Sequence, residues 1–286
     1  MNSFSLSEVL DAEIGHEGFI SVSEQAELKR FLDAGYLIQS VESLPDLDRI
    51  RKLVCFAVRT AIRIDKPVTD DQLLNYVHHF IKPDQLNELR LQVITTINAN
   101  EWVRPAYFRL ARRALELIVG NELAMQLRLN LSIQMPEDHS SLLPIHADTW
   151  SGDSPFEMVV WLPLVDCHST KSMFLLPPAA YENPAKILID TSVQDSEALF
   201  QAVESNLVWL NVNYGQIVLF NQNLPHGNRV NLESETRWTM NCRFKGVFTP
   251  YADKRLGEFF EPITLRPASR IGLEYRIAEM QHNQGG

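Results

Sequence analysis

LRLNLSIQ, residues 127–134, alternates without a break. Leu127, Leu129, Leu131 and Ile133 fall on one face, and Arg128, Asn130, Ser132 and Gln134 on the other. A period of two marks a strand, because successive side chains point to opposite sides. Before this point the period is different, and the first 125 or so residues read as helical. Apolar residues recur at helical spacing in 23–39, in LPDLDRIRKLVCFAVRTAI (44–62) and in 104–120, which closes on Gly120, a C′ residue. TDDQLLNYVHHFI (69–81) opens with Thr69 and Gln72 spaced as a capping box. After it, short apolar runs at 156–164, 172–177, 207–212, 216–221 and 237–248 are separated by Pro, Gly and Asn turns. This pattern predicts an α+β chain with N-terminal support helices and a mainly β core, a barrel or jelly roll. The division expected is a helical support region over 1–125, a jelly-roll core over 126–250 and a C-terminal extension over 251–286, all in one domain. Residues 178–206 read as an inserted loop with a short helix, and QHNQGG as a frayed end.

The last long strand repeats the alternation. Arg237, Thr239, Asn241 and Arg243 share one face, and Trp238, Met240, Cys242 and Phe244 the other. Two polar strand faces are either the wet side of an open sheet or the lining of a lumen that takes a polar ligand.

Several classes of function are disfavoured. A net charge of −10 argues against a general nucleic-acid surface, though not against a small anion in a locally basic pocket. No apolar run approaches a membrane span, and the N-terminus lacks a basic n-region and an apolar h-region. Cys55, Cys167 and Cys242 have no metal-finger spacing and cannot all pair. A reduced, cytoplasmic setting is therefore expected. Oligomeric state is open, a homo-oligomer included.

The chemistry concentrates in LPIHADTWSG, 143–152. On extended backbone, His146 and Asp148 project to the same side and can share one metal. A second histidine from a distant strand would complete a 2-His-1-carboxylate face with open positions, the arrangement of non-haem Fe(II) oxygenases. His139 and His168 lie in solvated turns, His16, His78 and His79 in the helical region and His282 in the tail. His226 follows the apolar run QIVLFN and sits, like His146, at a strand end. The plain alternative is a loop histidine packed on Pro225. Eleven residues on, Arg237 can offer the bidentate fork that the distal carboxylate of 2-oxoglutarate needs. Arg243, about 20 Å further along an extended strand, is too far for the same carboxylate. It is left for an anionic substrate or, more commonly, a structural ion pair.

HAD (146–148), HGN (226–228) and Arg237 together resemble the phytanoyl-CoA dioxygenase-like branch of Fe(II)/2-oxoglutarate oxygenases. The longer blocks 143–167, 171–177, 224–231 and 235–251 are similar to a subgroup encoded in bacterial carbohydrate clusters, related to a streptomycin-cluster protein. The likeness covers roughly the second half of the chain. It implies a double-stranded β-helix (a cupin-like jelly roll) with helices packed outside, iron on His146, Asp148 and His226, and 2-oxoglutarate anchored on Arg237 and contacted by Asn228. Oxidative decarboxylation with O2 would release succinate and CO2 and oxidise a substrate C–H bond. Asp148 is intact, which disfavours a halogenase. Arg128, Asn130, Gln134, Asn241 and Arg243, with Trp150 as an aromatic platform, would then suit a sugar-type small molecule. A core position is the ordinary alternative for Trp150. The rival readings are a cupin-type isomerase or epimerase without redox metal, a jelly-roll carbohydrate-binding module, and an inactive family member.

Overall fold

A computed structural model describes residues 19–64, 66–180 and 195–283, with side chains to Tyr275. His16, the centre of the 178–206 segment and the last three residues lie outside the described residues. Helix α1 (Val22–Ala34) starts on a Ser21–Glu24 capping box and stops at Gly35, which takes the left-handed φ of 76°. The sequence predicts helix through 39, but the chain turns at this glycine and Tyr36–Ser40 forms strand β1 instead. A side chain at Gly35 would also strike Leu224, within 2.6 Å of the Cβ position. Helix α2 (Leu44–Ile62) has the predicted bounds and buries Leu47, Ile50, Val54 and Val58 along one stripe. The Thr69–Gln72 capping box opens α3 (Asp70–Asn75). Helix α4 (Leu86–Ala99) was not anticipated, although Leu86, Leu89, Val93 and Ile97 are buried at helical spacing. The expected 104–120 helix is broken at Leu110–Ala111 into α5 (Val103–Arg109) and α6 (Arg112–Ile118). A short α7 (Ser196–Val203) closes the described part of the insertion, and α8 (Pro267–Asn283) runs to the end of the described chain.

All strand pairing between named strands is antiparallel. The large sheet has the order β1-β7-β4-β9-β2-β10, with β2 (Leu123–Gln126), β4 (Met158–Pro163), β7 (Gln216–Asn221), β9 (Arg237–Gly246) and β10 (Phe260–Pro262). Strand β3 (Asn130–Gln134) also pairs with β9, so one long strand carries two short ones end to end. Met125 faces Phe244 and Asn130 faces Asn241, which leaves two extra residues on the β2–β3 side. They are accommodated by a bulge around 127–128. Its ends are tied by Leu127 N–H to the Phe259 carbonyl and by Asn98 to both backbone groups of Leu129. The perfect alternation of 127–134 is therefore strand only from Asn130.

The small sheet has the order β6-β5-β8, from Val208–Trp209, Phe174–Leu175 and His226–Gly227. Two antiparallel bridges extend it, His146 to His226 and Cys167 to Val212. The two faces of the large sheet go to different places. Ile133, Val160, Trp238, Met240, Cys242 and Phe244 join one continuous apolar core with α2, α4 and α5. Trp238 donates to the Leu74 carbonyl and Tyr107 to the Val160 carbonyl, so polar atoms in that core are satisfied. The opposite face looks onto a cavity.

Candidate metal centre

The His146–His226 bridge places the two imidazoles beside each other. His146 N–H donates to the His226 carbonyl at 2.9 Å and His226 N–H to the His146 carbonyl at 2.8 Å. The rings end with centroids 4.4 Å apart. Each ring is also fixed by its own chain. Nδ1 of His146 lies 2.8 Å from the Pro144 carbonyl, and Nδ1 of His226 lies 2.9 Å from that of Leu224. A carbonyl only accepts, so both Nδ1 atoms carry hydrogen and both Nε2 lone pairs are left for a metal. Asp148 opens a 3-10 turn and its N–H donates to the Gln222 carbonyl, which ties it to the end of β7. Ligand atoms of His146, Asp148 and His226 all lie within 4.8 Å of one another, with His146 Nε2 3.5 Å from Asp148 Oδ1.

Electrostatics favour the ligand forms of His226 and Asp148, whereas a metal would have to displace a proton from His146. Burial pulls the His226 imidazole down to about 4, so it is neutral at physiological pH. Burial works against charge on His146 too, but the Asp148 carboxylate and the Pro144 carbonyl outweigh it and raise its pKa. Burial likewise opposes the Asp148 carboxylate, yet His146 and Arg243 hold it well below the usual carboxylate range.

Arg243 donates to Asp148 Oδ2 at 2.7 Å and to Gln222 at 3.1 Å, the ion-pair fate anticipated for it. Behind it lie the buried carboxylates of Asp153 at 3.8 Å and Glu157 at 3.9 Å. Asp153 is paired with Lys254. Burial and then the Asp153 charge raise the pKa of Glu157.

A cavity of about 480 Å³ lies between the two sheets and contains the triad. Arg237 lines it and is 3% exposed. It donates to the Ser172 carbonyl at 3.0 Å and to Ser132 Oγ at 3.2 Å. No carboxylate pairs with it among the described residues, and its Nε has no partner. Burial draws its pKa down to about 10. A buried guanidinium without an anion is rare, because taking a cation out of water costs several kcal/mol. This one sits in the same cavity as three metal-ligand side chains, as an anionic co-ligand would require.

Of the remaining predicted residues, Asn130, Asn241, Arg243 and Asn228 line the cavity. Asn130 donates to Asn241 across the β3–β9 pair at 2.8 Å. Asn228 accepts from Leu143 N–H and donates to the Ser141 carbonyl, which pins the rim loop and leaves one amide N–H. Arg128, Gln134 and Trp150 do not reach the cavity. Arg128 is exposed on the bulge. Gln134 is buried and donates to the Arg229 carbonyl. Trp150 packs against a small apolar cluster with Ile145, Phe174, Leu199 and Phe200. Trp161 supplies the aromatic wall instead, and Arg90 of α4 reaches the cavity from a helix where no chemistry was expected.

No family model and no curated protein matches this chain. Solved structures do. A non-heme monooxygenase, ThoJ in its apo form, aligns over 84% of this chain and 84% of its own at TM-score 0.55 and 13% identity. EctD from S. alaskensis, with 2-oxoglutarate and 5-hydroxyectoine, aligns over 85% and 82% at TM-score 0.53 and 17% identity. HygX from Streptomyces hygroscopicus, with nickel and 2-oxoglutarate bound, aligns over 81% and 89% at TM-score 0.50 and 14% identity. These likenesses establish a shared fold. No helix among the described residues is long and apolar enough to cross a membrane.

Proposed function

We propose that the chain is an Fe(II)/2-oxoglutarate-dependent oxygenase that oxidises a C–H bond of a small, polar, sugar-type substrate. The two sheets would form its double-stranded β-helix within a single domain over 1–286. One observation carries the reading: the His146, Asp148 and His226 ligand atoms share a cavity with a buried arginine that has no anion of its own. The structural neighbours that hold 2-oxoglutarate support it, as does nickel in HygX.

The residues fit the cofactors. His146 and His226 present fixed Nε2 atoms, and Asp148 presents Oδ1 while Arg243 holds Oδ2. Three ligands on one face leave positions for an organic co-ligand and O2. Bound iron would supply the oxidising chemistry with O2 as the four-electron oxidant, two electrons coming from 2-oxoglutarate as it is oxidised to succinate and CO2 and two from the substrate C–H bond. The chain's own part is positioning and exclusion of water. Arg237 receives the distal carboxylate, with Ser132 and Ser172 orienting its fork. Asn228 steadies the rim and offers its last N–H to the co-substrate. Asn130, Asn241 and Trp161 form the wall a hydroxylated substrate would meet. A non-redox isomerase would need neither His226 nor Arg237 in this arrangement.

The test is anaerobic addition of Fe(II) and 2-oxoglutarate to the metal-free protein. A visible metal-to-ligand charge-transfer band is expected, weakened in Arg237→Ala and lost in His226→Ala. Tight Fe(II) binding with no band in the wild type would point to an isomerase. No metal binding at all would point to a carbohydrate-binding module.

A further inference from the structure

The charges that line the cavity do not balance, and the imbalance sits at its mouth. Asp148 is the one acidic side chain among the described lining residues, against Arg90, Arg237 and Arg243. On the reading above, Arg237 is matched by the distal carboxylate of 2-oxoglutarate. Arg243 is matched by Asp148, with Asp153 and Glu157 behind it. Arg90 remains. It projects from α4, which packs beside β3, and it is half-buried. Its only polar contact among the described residues is with Asn87 Oδ1, one turn back on the same helix. No carboxylate pairs with it. Across the mouth the rim is built by Ser140, Ser141, Leu142 and Leu143, which carry no charge.

We propose that Arg90 is a substrate-anchoring residue, and that the substrate carries an anionic group, a phosphate or a carboxylate, held at the cavity mouth. This deepens the oxygenase reading and rests on it for the term substrate. A guanidinium fork matches either anion bidentately, and partial desolvation strengthens the pairing over that at an open surface. The protein as a whole carries −10, so a cationic mouth is a local feature of this cavity. Such a cleft concentrates an anion that the rest of the surface repels. The hydroxyl-bearing part of the substrate would then lie inward, against Asn130, Asn241 and Trp161.

The probe is inorganic phosphate, followed by 31P line broadening, which registers millimolar dissociation. It is added to metal-free protein without 2-oxoglutarate, so the result does not depend on the cofactor assignment. Wild type, Arg90→Gln, Arg90→Lys, Arg237→Gln and the Arg90→Gln/Arg237→Gln double variant are compared, each checked for a native melt. The Arg237→Gln protein should still broaden the signal, because Arg90 is intact, and the double variant should lose at least ten-fold in affinity. Arg90→Lys should keep part of it. Titrated acetate that displaces phosphate at similar concentration assigns a carboxylate; acetate that fails to displace it assigns a phosphate. If Arg237→Gln abolishes broadening, or Arg90→Gln in its background changes nothing, Arg90 is not an anion site. Failure of the charge-transfer band in wild type would overturn the oxygenase reading alone.

Discussion

Arg237 sets function against stability, and replacing it with methionine should expose the conflict. In the ligand-free protein its guanidinium is buried with no anion among the described residues, and burial lowers its pKa to about 10. At roughly 1.4 kcal/mol per pKa unit, keeping the charge costs the folded state about 3 kcal/mol. Methionine removes that cost but abandons two hydrogen bonds donated by the charged fork, to the Ser172 carbonyl and Ser132 Oγ, at about 1.5 kcal/mol each. The two roughly cancel, so the ligand-free Arg237→Met protein should lie within about 1 kcal/mol of wild type, a change in Tm of at most about 2–4 °C. With Fe(II) and excess 2-oxoglutarate under argon wild type should become clearly the more stable. Two charge-assisted bonds to the distal carboxylate are lost, together worth about 3 kcal/mol, or roughly a hundred-fold in affinity. At a ligand concentration about 100 times its Kd, wild type gains about 2.7 kcal/mol and the variant almost nothing. The sign with pH is also fixed. The unfolded chain keeps the Arg237 proton to higher pH than the folded chain, where burial brings its pKa down to about 10. The penalty is thus complete below about pH 10 and shrinks as pH rises from there, so the ligand-free difference should be flat across pH 7–9. Melts of both proteins with and without ligands decide the matter. A ligand-free variant several degrees less stable than wild type refutes the burial argument, and equal stabilisation by 2-oxoglutarate refutes the anchoring role.

Other perturbations separate the site from its scaffold. Gly227→Ala would set a Cβ 2.6 Å from the Leu143 carbonyl oxygen and 3.1 Å from the Pro144 carbonyl carbon. These are backbone atoms that cannot swing away, so the segments carrying His146 and His226 must part; a loss above about 2 kcal/mol in urea unfolding and of most Fe(II) affinity is expected, and a normal titration would sink the idea. His226→Ala leaves the backbone bridge with His146 intact, so Fe(II) affinity should fall at least about 100-fold with circular dichroism and Tm of the metal-free protein nearly unchanged. Lys171 is fully buried and donates to Glu235 at 2.6 Å and to Asn75 at 2.9 Å. Lys171→Met should cost about 2 kcal/mol, less than a fully buried pair because Glu235 is partly in water; a neutral result in urea unfolding would show that the pair contributes nothing net.

How much of this was legible in the chain depended on whether one face could be told from the other. In 130–134 and 237–244 the alternation grouped Asn130, Asn241, Arg237 and Arg243, which do line one cavity, while Gln134 of the same face turns to the Arg229 carbonyl and Leu131 of the other face also lines the cavity. In MVVWLP (158–163) every residue is apolar, so nothing in the pattern marks Val159 and Trp161 as the two that line the cavity. The aromatic wall was consequently assigned to Trp150, which faces a separate apolar cluster. Arg128 was misplaced because the bulge is set by the partner strand: β9 is continuous, and the two extra residues appear only once β2 and β3 are both laid along it. β1 was hidden for a similar reason. YLIQS continues the preceding apolar spacing, and only Gly35 at a positive φ signals the stop. Arg90 leaves no trace in the pattern, since the direction of a half-buried helical arginine depends on what lies across from it.

The sharing of Asp148 explains why a polar sheet face can also be a precise one. Its carboxylate meets His146 on one oxygen and Arg243 on the other. A metal on the two Nε2 atoms would displace only the His146 contact, because Arg243 approaches from the opposite oxygen. The arginine therefore restricts Asp148 to one ligating oxygen and protects the remaining metal positions. That placement would have an electrostatic cost, since the guanidinium would repel a dication held by the same carboxylate. Asp153, within 4 Å of Arg243, supplies counter-charge; Glu157 lies equally near, with its pKa raised by burial and by Asp153, and neither lines the cavity. Buried carboxylates would be hard to justify in a scaffold that merely covered a sheet. Behind an arginine that must stay next to a metal ligand, Asp153 offsets its charge on the side away from the metal, and Gln222, bonded to both the arginine and the Asp148 backbone, keeps the two in register.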